Sequence, residues 1–267
     1  MTDQYNAGKR ALGEILTTTS AKIEVPQWQR DYSWESTQVE QFWTDLVVFS
    51  DQHPGQNLNK HEYFLGSMVL VEDDKNTNLL LDGQQRLATA TILLSVIASY
   101  LVEYDQNAST RLRQKYIVDY DDASKENRYT VTLSVFDREF FRIAIQDGQP
   151  DAIAPEYYSH KLIKHARDYF TTKFEEQYTK LGRGEPAKDW ALRIRQVLTD
   201  HMSVVVVSSL DEDSAATVFE TLNDRGIGLS NARPSPAACF SAAPSRPIET
   251  PSSSAGETFS KCPRSVM

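Results

Sequence analysis

The sequence predicts an α+β fold: a small mixed sheet with helices packed on it, then a helical region, then a strand that returns to the sheet. Three stretches carry that prediction. Residues 78–104 open on three leucines, break at Asp82-Gly83 and continue as an apolar helix without internal Gly or Pro. Residues 62–73, EYFLGSMVLVED, precede them with a strand pattern. Far downstream, Val204–Val207 is an unbroken β-branched run, the mark of a buried strand that rejoins a sheet.

Taken in order, residues 1–20 read as a leading helix with Ala7, Leu12, Ile15 and Leu16 on its apolar face. Lys22–Val25 alternates as a short strand that Pro26 ends. Ser36 reads as the N-cap of a helix that buries Val39, Phe42, Trp43, Leu46 and Phe49. Between strand and helix lie Gln27, Gln29, Arg30, Asp31, Tyr32 and Trp34, a dense polar and aromatic group. Taken singly, Trp28 and Trp34 read as core and Arg30 as a surface charge. Residues 51–61 form a polar loop, and Gly66 in the next strand allows close backbone approach.

After strand 79–82 comes a turn holding Asp82, Gly83, Gln84, Gln85 and Arg86, then the helix over 87–104. So polar a cluster between two apolar elements either caps the helix or binds a ligand. Residues 105–200 read as charged and helix-rich, with Phe136, Phe140, Phe141, Ile143 and Ala144 as one helix interior. His160, His165 and His201 show no ligand spacing and receive no role; no metal ligands are assigned. Beyond the β-branched strand, a helix to Leu222 ends at Asn223, Asp224, Arg225 and Gly226. Residues 1–104 are thus the α+β core, and residues 105–232 the helical region, whose strand 203–210 rejoins it. Residues 233–267 hold six of the chain's 11 prolines and both cysteines, Cys239 and Cys262, and are expected to be disordered.

Composition narrows the function. The net charge of −9 argues against a broad basic face for nucleic acid. No run reaches the roughly 18 apolar residues of a membrane span, and the N-terminus lacks a signal-peptide core, so a cytoplasmic protein is expected.

Four blocks together resemble the N-terminal domain of GmrSD-type restriction endonucleases. They are Val25–Arg30 with Trp34, Tyr63–Ser67, Leu81–Arg86 and Phe219–Gly226, in order over residues 10–232. The resemblance implies a ParB/sulfiredoxin-like α+β domain. It also implies binding and hydrolysis of a nucleoside triphosphate, GTP or ATP, in defence against modified phage DNA. Family members commonly continue into further helices and an HNH nuclease domain, which this sequence does not show. A truncated or frameshifted copy is the expectation, with a separate nuclease subunit as partner.

The expected chemistry follows from residue types. A helix N-terminus with Gly83 before it suits a phosphate. Arg86 and Arg30 contact phosphate oxygens, and Gln29, Asn223 and Arg225 complete the pocket. Asp82 holds Mg²⁺ or orients a water, and Gln84 or Gln85 positions that water, since phosphoryl transfer needs placement and charge stabilisation. The alternatives are a capped helix with structural glutamines, a nucleotide or modified-DNA sensor without turnover, and an inactive remnant.

Overall fold

The computed structural model describes residues 5–17, 22–73, 77–122 and 124–209. Its centre is a mixed six-stranded sheet in the order β1 (Tyr5–Ala11), β8 (Met202–Ser209), β3 (Tyr63–Asp73), β4 (Thr77–Asp82), β2 (Lys22–Glu24), β7 (Val131–Thr132). The returning strand β8 runs antiparallel to β1 and parallel to β3, so the valine run lies inside the sheet. β3 and β4 form an antiparallel pair, and β2 lies parallel between β4 and β7.

Side-chain alternation sorts the two faces. Met68 and Leu70 of β3 join the main core, whereas Val69 and Val71 form a separate small cluster with Leu81. The main core is built around α3 (Gln84–Leu101), buried on nearly every side. A helix apolar all round needs cover all round. That cover comes from α4 (Gln106–Tyr116), α6 (Tyr158–Leu181) and α7 (Glu185–Gln196). α2 (Ser36–Gln52) buries Val39, Phe42, Trp43, Leu46 and Phe49, the expected face. Its N-cap is Glu35, one residue earlier than expected. Trp43 joins Phe170, Phe174 and Trp190 in an aromatic cluster that ties α2 to α6 and α7. No described helix is long and apolar enough to cross a membrane.

Several local expectations are corrected. The leading helix is instead the strand β1 followed by one helical turn, α1 (Leu12–Ile15). Leu12, Ile15 and Leu16 are buried as expected, but Ala7 is exposed. A second neighbour for β8 decides the matter, because pairing supplies what the sequence YNAGKRA does not show locally. Within the helix-rich region lie a hairpin of β5 (Val118–Asp121) and β6 (Glu126–Tyr129), and the two-residue β7. Phe136 is 53% exposed against Tyr157, because α5 (Arg138–Phe141) begins only after it. Trp28 is 67% exposed, not core, whereas Trp34 packs on Phe42. The helix predicted before Leu222, and residues 233–267, lie outside the described residues.

Candidate functional site

The Asp82–Arg86 turn joins β4 to α3, and its backbone is shaped by one glycine. Gly83 has φ +98° and is the N-cap of α3, with no side chain capping the helix. A Cβ there would lie 2.5 Å from Met68 Cγ, so both conformation and space require glycine.

Arg86 reaches back over the sheet. Its Nη1 donates to the Leu65 carbonyl at 3.0 Å, and its Nη2 to the Ser67 carbonyl at 2.5 Å and to Asp82 Oδ2 at 3.3 Å. The register explains this. β4 ends at Asp82 opposite Val69, so among the described residues the β3 carbonyls beyond that point have no strand on that side. A register shift at Phe64–Gly66, where Gly66 has φ +120°, lies in the same segment. The guanidinium thus takes the place of the missing ladder partner. Burial pushes Arg86 below its ordinary pKa, opposed by the Asp82 carboxylate.

Gln29 does the same at the next strand. β2 pairs with β4 only as far as Leu79, and Gln29 Nε2 donates to the Leu81 carbonyl at 2.9 Å. Gln84 and Gln85 then hold the loop that carries Gln29. Gln84 Nε2 donates to the Arg30 carbonyl and Gln85 Nε2 to the Asp31 carbonyl, each at 3.1 Å. Gln85 Oε1 accepts the Ser33 N–H at 2.8 Å. Both glutamines are buried. Tyr32 secures the loop further, its hydroxyl 2.8 Å from Thr89 Oγ1 on α3.

Beneath the loop is a crevice lined by Val25, Arg30, Tyr32, Gln84, Gln85, Ala88, Leu133, Ser134 and Asp137. Asp137 is fully buried, and its Oδ2 accepts the Tyr32 N–H at 2.7 Å. Burial pushes its carboxyl above the ordinary range, against the lowering influence of Ser159, the Tyr32 N–H and His160. Ser134 donates to Asp31 Oδ1 at 2.6 Å. His160 Nδ1 accepts the Glu156 N–H, which leaves Nε2 as the donor to the Phe136 carbonyl at 2.8 Å. The histidine without an assigned role is therefore a packed element of this wall, stacked on Phe140.

The structure brings Gln29, Arg30, Asp82, Gly83, Gln84, Gln85 and Arg86 together around the head of α3. Asn223 and Arg225 lie outside the described residues. Arg30 is exposed and lines the crevice, whereas Arg86 is mostly occupied with carbonyls. Asp82 keeps one oxygen outside its pair with Arg86, and among the described residues no group of three or more His, Cys, Asp or Glu gathers for a metal. Sequence reasoning missed Asp137 and Ser134. Asp137 stands immediately before α5, where an aspartate reads as an ordinary cap, yet its side chain makes no capping bond.

A search of curated proteins finds no match to the chain. Residues 12–233 match the family described as the GmrSD restriction endonuclease, N-terminal domain. With an α+β core, the four sequence blocks and this match over most of its length, the chain belongs to the GmrSD restriction endonuclease N-terminal domain family, a component of restriction systems.

Proposed function

We propose that this domain binds a nucleoside triphosphate, GTP or ATP, at the head of α3 and hydrolyses it, in the cytoplasm, within a modification-dependent restriction system directed at phage DNA. One observation carries the reading. The 18-residue α3 begins without a side-chain cap, behind a left-handed glycine, with the exposed Arg30 beside it. Free N–H groups and the positive end of the helix dipole favour a phosphate there.

Roles follow from the geometry. Arg30 supplies an exposed positive charge, and Gly83 permits close approach. Gln29 and Arg86 hold the two strand ends that frame the turn. Among the described residues Gln84 Oε1 has no partner, which leaves it as an acceptor to orient a water. Mg²⁺ would be held mainly by the nucleotide phosphates, with the remaining Asp82 oxygen as a protein ligand. Asn223 and Arg225, the remaining pocket candidates, lie outside the described residues. DNA cleavage falls to a nuclease domain or subunit, with modified DNA as the signal.

Phosphate release from the four nucleoside triphosphates, with and without modified DNA, tests the reading. Arg30→Ala is expected to weaken nucleotide binding about tenfold or more while leaving thermal stability unchanged, as the loss of one charge-assisted contact implies. Absence of nucleotide binding by the unaltered chain refutes it. A sensor without turnover is the second reading. It is favoured by the commitment of both glutamine amide nitrogens and most of Arg86 to holding loop and strand. Tight binding with no phosphate release would select it.

A further inference from the structure

Among the described residues, Trp28 is the most exposed large apolar side chain, at 67%. A single apolar side chain in water is ordinary; what sets this one apart is how firmly its backbone is held. Gln27 and Trp28 form the corner of a turn, closed by the Gln29 N–H donating to the Pro26 carbonyl at 3.0 Å. Before the corner, Pro26 is buried and the Val25 N–H donates to the Thr132 carbonyl at 2.9 Å. After it, Gln29 is tied to the Leu81 carbonyl, and the Arg30 and Asp31 carbonyls accept from Gln84 and Gln85. Both flanks are thus fastened to the sheet or to the first turn of α3. The indole between them stacks on no other aromatic ring among the described residues.

The place of the corner is equally specific. Gln29, the next residue, reaches the residue before Asp82, where the turn into α3 begins. Arg30 follows two residues after Trp28, at most about 7 Å away between Cα atoms. Phosphates seated at Arg30 and the head of α3 therefore leave the rest of a nucleotide beside an exposed indole.

We infer that Trp28 is the base-recognition element of the nucleotide site, its indole stacking on the nucleobase while Arg30 and α3 take the phosphates. The inference rests on the nucleotide reading above and adds the part of the ligand which that reading leaves unplaced. Stacking needs only a flat π surface, which every base has, so it tolerates all four bases. Purines, with the larger surface, bind more tightly than pyrimidines. A ring already held open loses little freedom when the base arrives, the advantage of a preorganised contact. Phe136, exposed as well, has its ring packed edge-on against Tyr157.

Inorganic tripolyphosphate carries the phosphates without a base, so it separates the two halves of the site. The test measures its affinity, and those of the four nucleoside triphosphates, for the unaltered chain, Trp28→Ala and Trp28→Tyr by titration calorimetry. Trp28→Ala is expected to weaken nucleotide binding by about tenfold, the worth of one stacked base, with tripolyphosphate affinity and thermal stability unchanged. Trp28→Tyr keeps an aromatic face and is expected to retain most of the affinity. Equal losses for nucleotides and tripolyphosphate would show that Trp28 only shapes the loop. Unchanged affinities would place the base elsewhere, and a loss confined to modified DNA would assign the indole to that partner; each of the three overturns the inference. Should Trp28→Ala fail to fold, tryptophan fluorescence of the unaltered chain decides. Quenching by nucleotides but not by tripolyphosphate is expected, and no difference between them overturns the inference. Failure of the unaltered chain to bind nucleotides and tripolyphosphate alike refutes the nucleotide reading itself, a result distinct from all of these.

Discussion

Arg86 occupies a position where charge, planarity and reach are all used. Its donors meet two carbonyls two residues apart and one carboxylate. Lysine offers a point charge and cannot span both carbonyls. Arg86→Lys is expected to destabilise the fold by about 2–4 kcal/mol, because buried carbonyls lose charged donors. Denaturant unfolding measures this, and a change near zero would show that water replaces the guanidinium at the strand end. Asp137 makes a second prediction at the same scale. Its folded pKa is raised, so the folded state binds a proton that the unfolded state has already released. Its contribution to stability is therefore complete below the ordinary aspartate pKa and declines as pH rises through the raised value. Asp137→Asn is expected to flatten that part of the stability–pH curve, as denaturation at a series of pH values will show.

At the scale of elements, the loop after β2 is held by side chains rather than by a ladder. Gln84, Gln85 and Asp137 each bond its backbone, and Gln29 from the loop bonds the end of β4. Four side chains thus do what another strand would do. The loop is correspondingly sensitive to single changes. Gln85→Ala is expected to raise the amide exchange rate of Ser33 by about tenfold, equivalent to one lost hydrogen bond of roughly 1.4 kcal/mol, with little effect on the distant helix α6. Unchanged protection at Ser33 would mean that the remaining contacts suffice. The residues in question were visible in the sequence, but their roles were not. The polar block Gln27–Trp34 and the Asp-Gly-Gln-Gln-Arg turn stand out by composition, whereas the pairing of glutamine amides with the Arg30 and Asp31 carbonyls depends on how two remote segments meet.

Over the molecule as a whole, α3 links the site to the core. Its first turn carries Gln84, Gln85 and Arg86, and its later turns are covered by α4, α6 and α7. β8 lies between β1 and β3, so the last described strand completes the sheet on which α3's strand neighbour depends. Residues 5–209 are therefore expected to unfold as one unit. Far-UV circular dichroism and the fluorescence of the Trp43–Trp190 cluster should give coincident melts. Two separated transitions would show that the helical region melts independently of the sheet.

What the sequence alone determined is whatever a short window can encode. α2 and α3 were legible because their apolar residues repeat at the helical period, and β3, β4 and β8 because their runs are apolar and β-branched. The Asp82–Arg86 turn was legible because polar residues there interrupt strong apolar patterns. The tertiary structure decided the rest. β1 and the two-residue β7 are strands because of the neighbours they pair with, and no local pattern marks them. Asp137 joined the site for the same reason. A carboxylate's environment is set by what folds over it: Tyr32 and His160 reach it from separate segments, and Gln84 lines the same crevice.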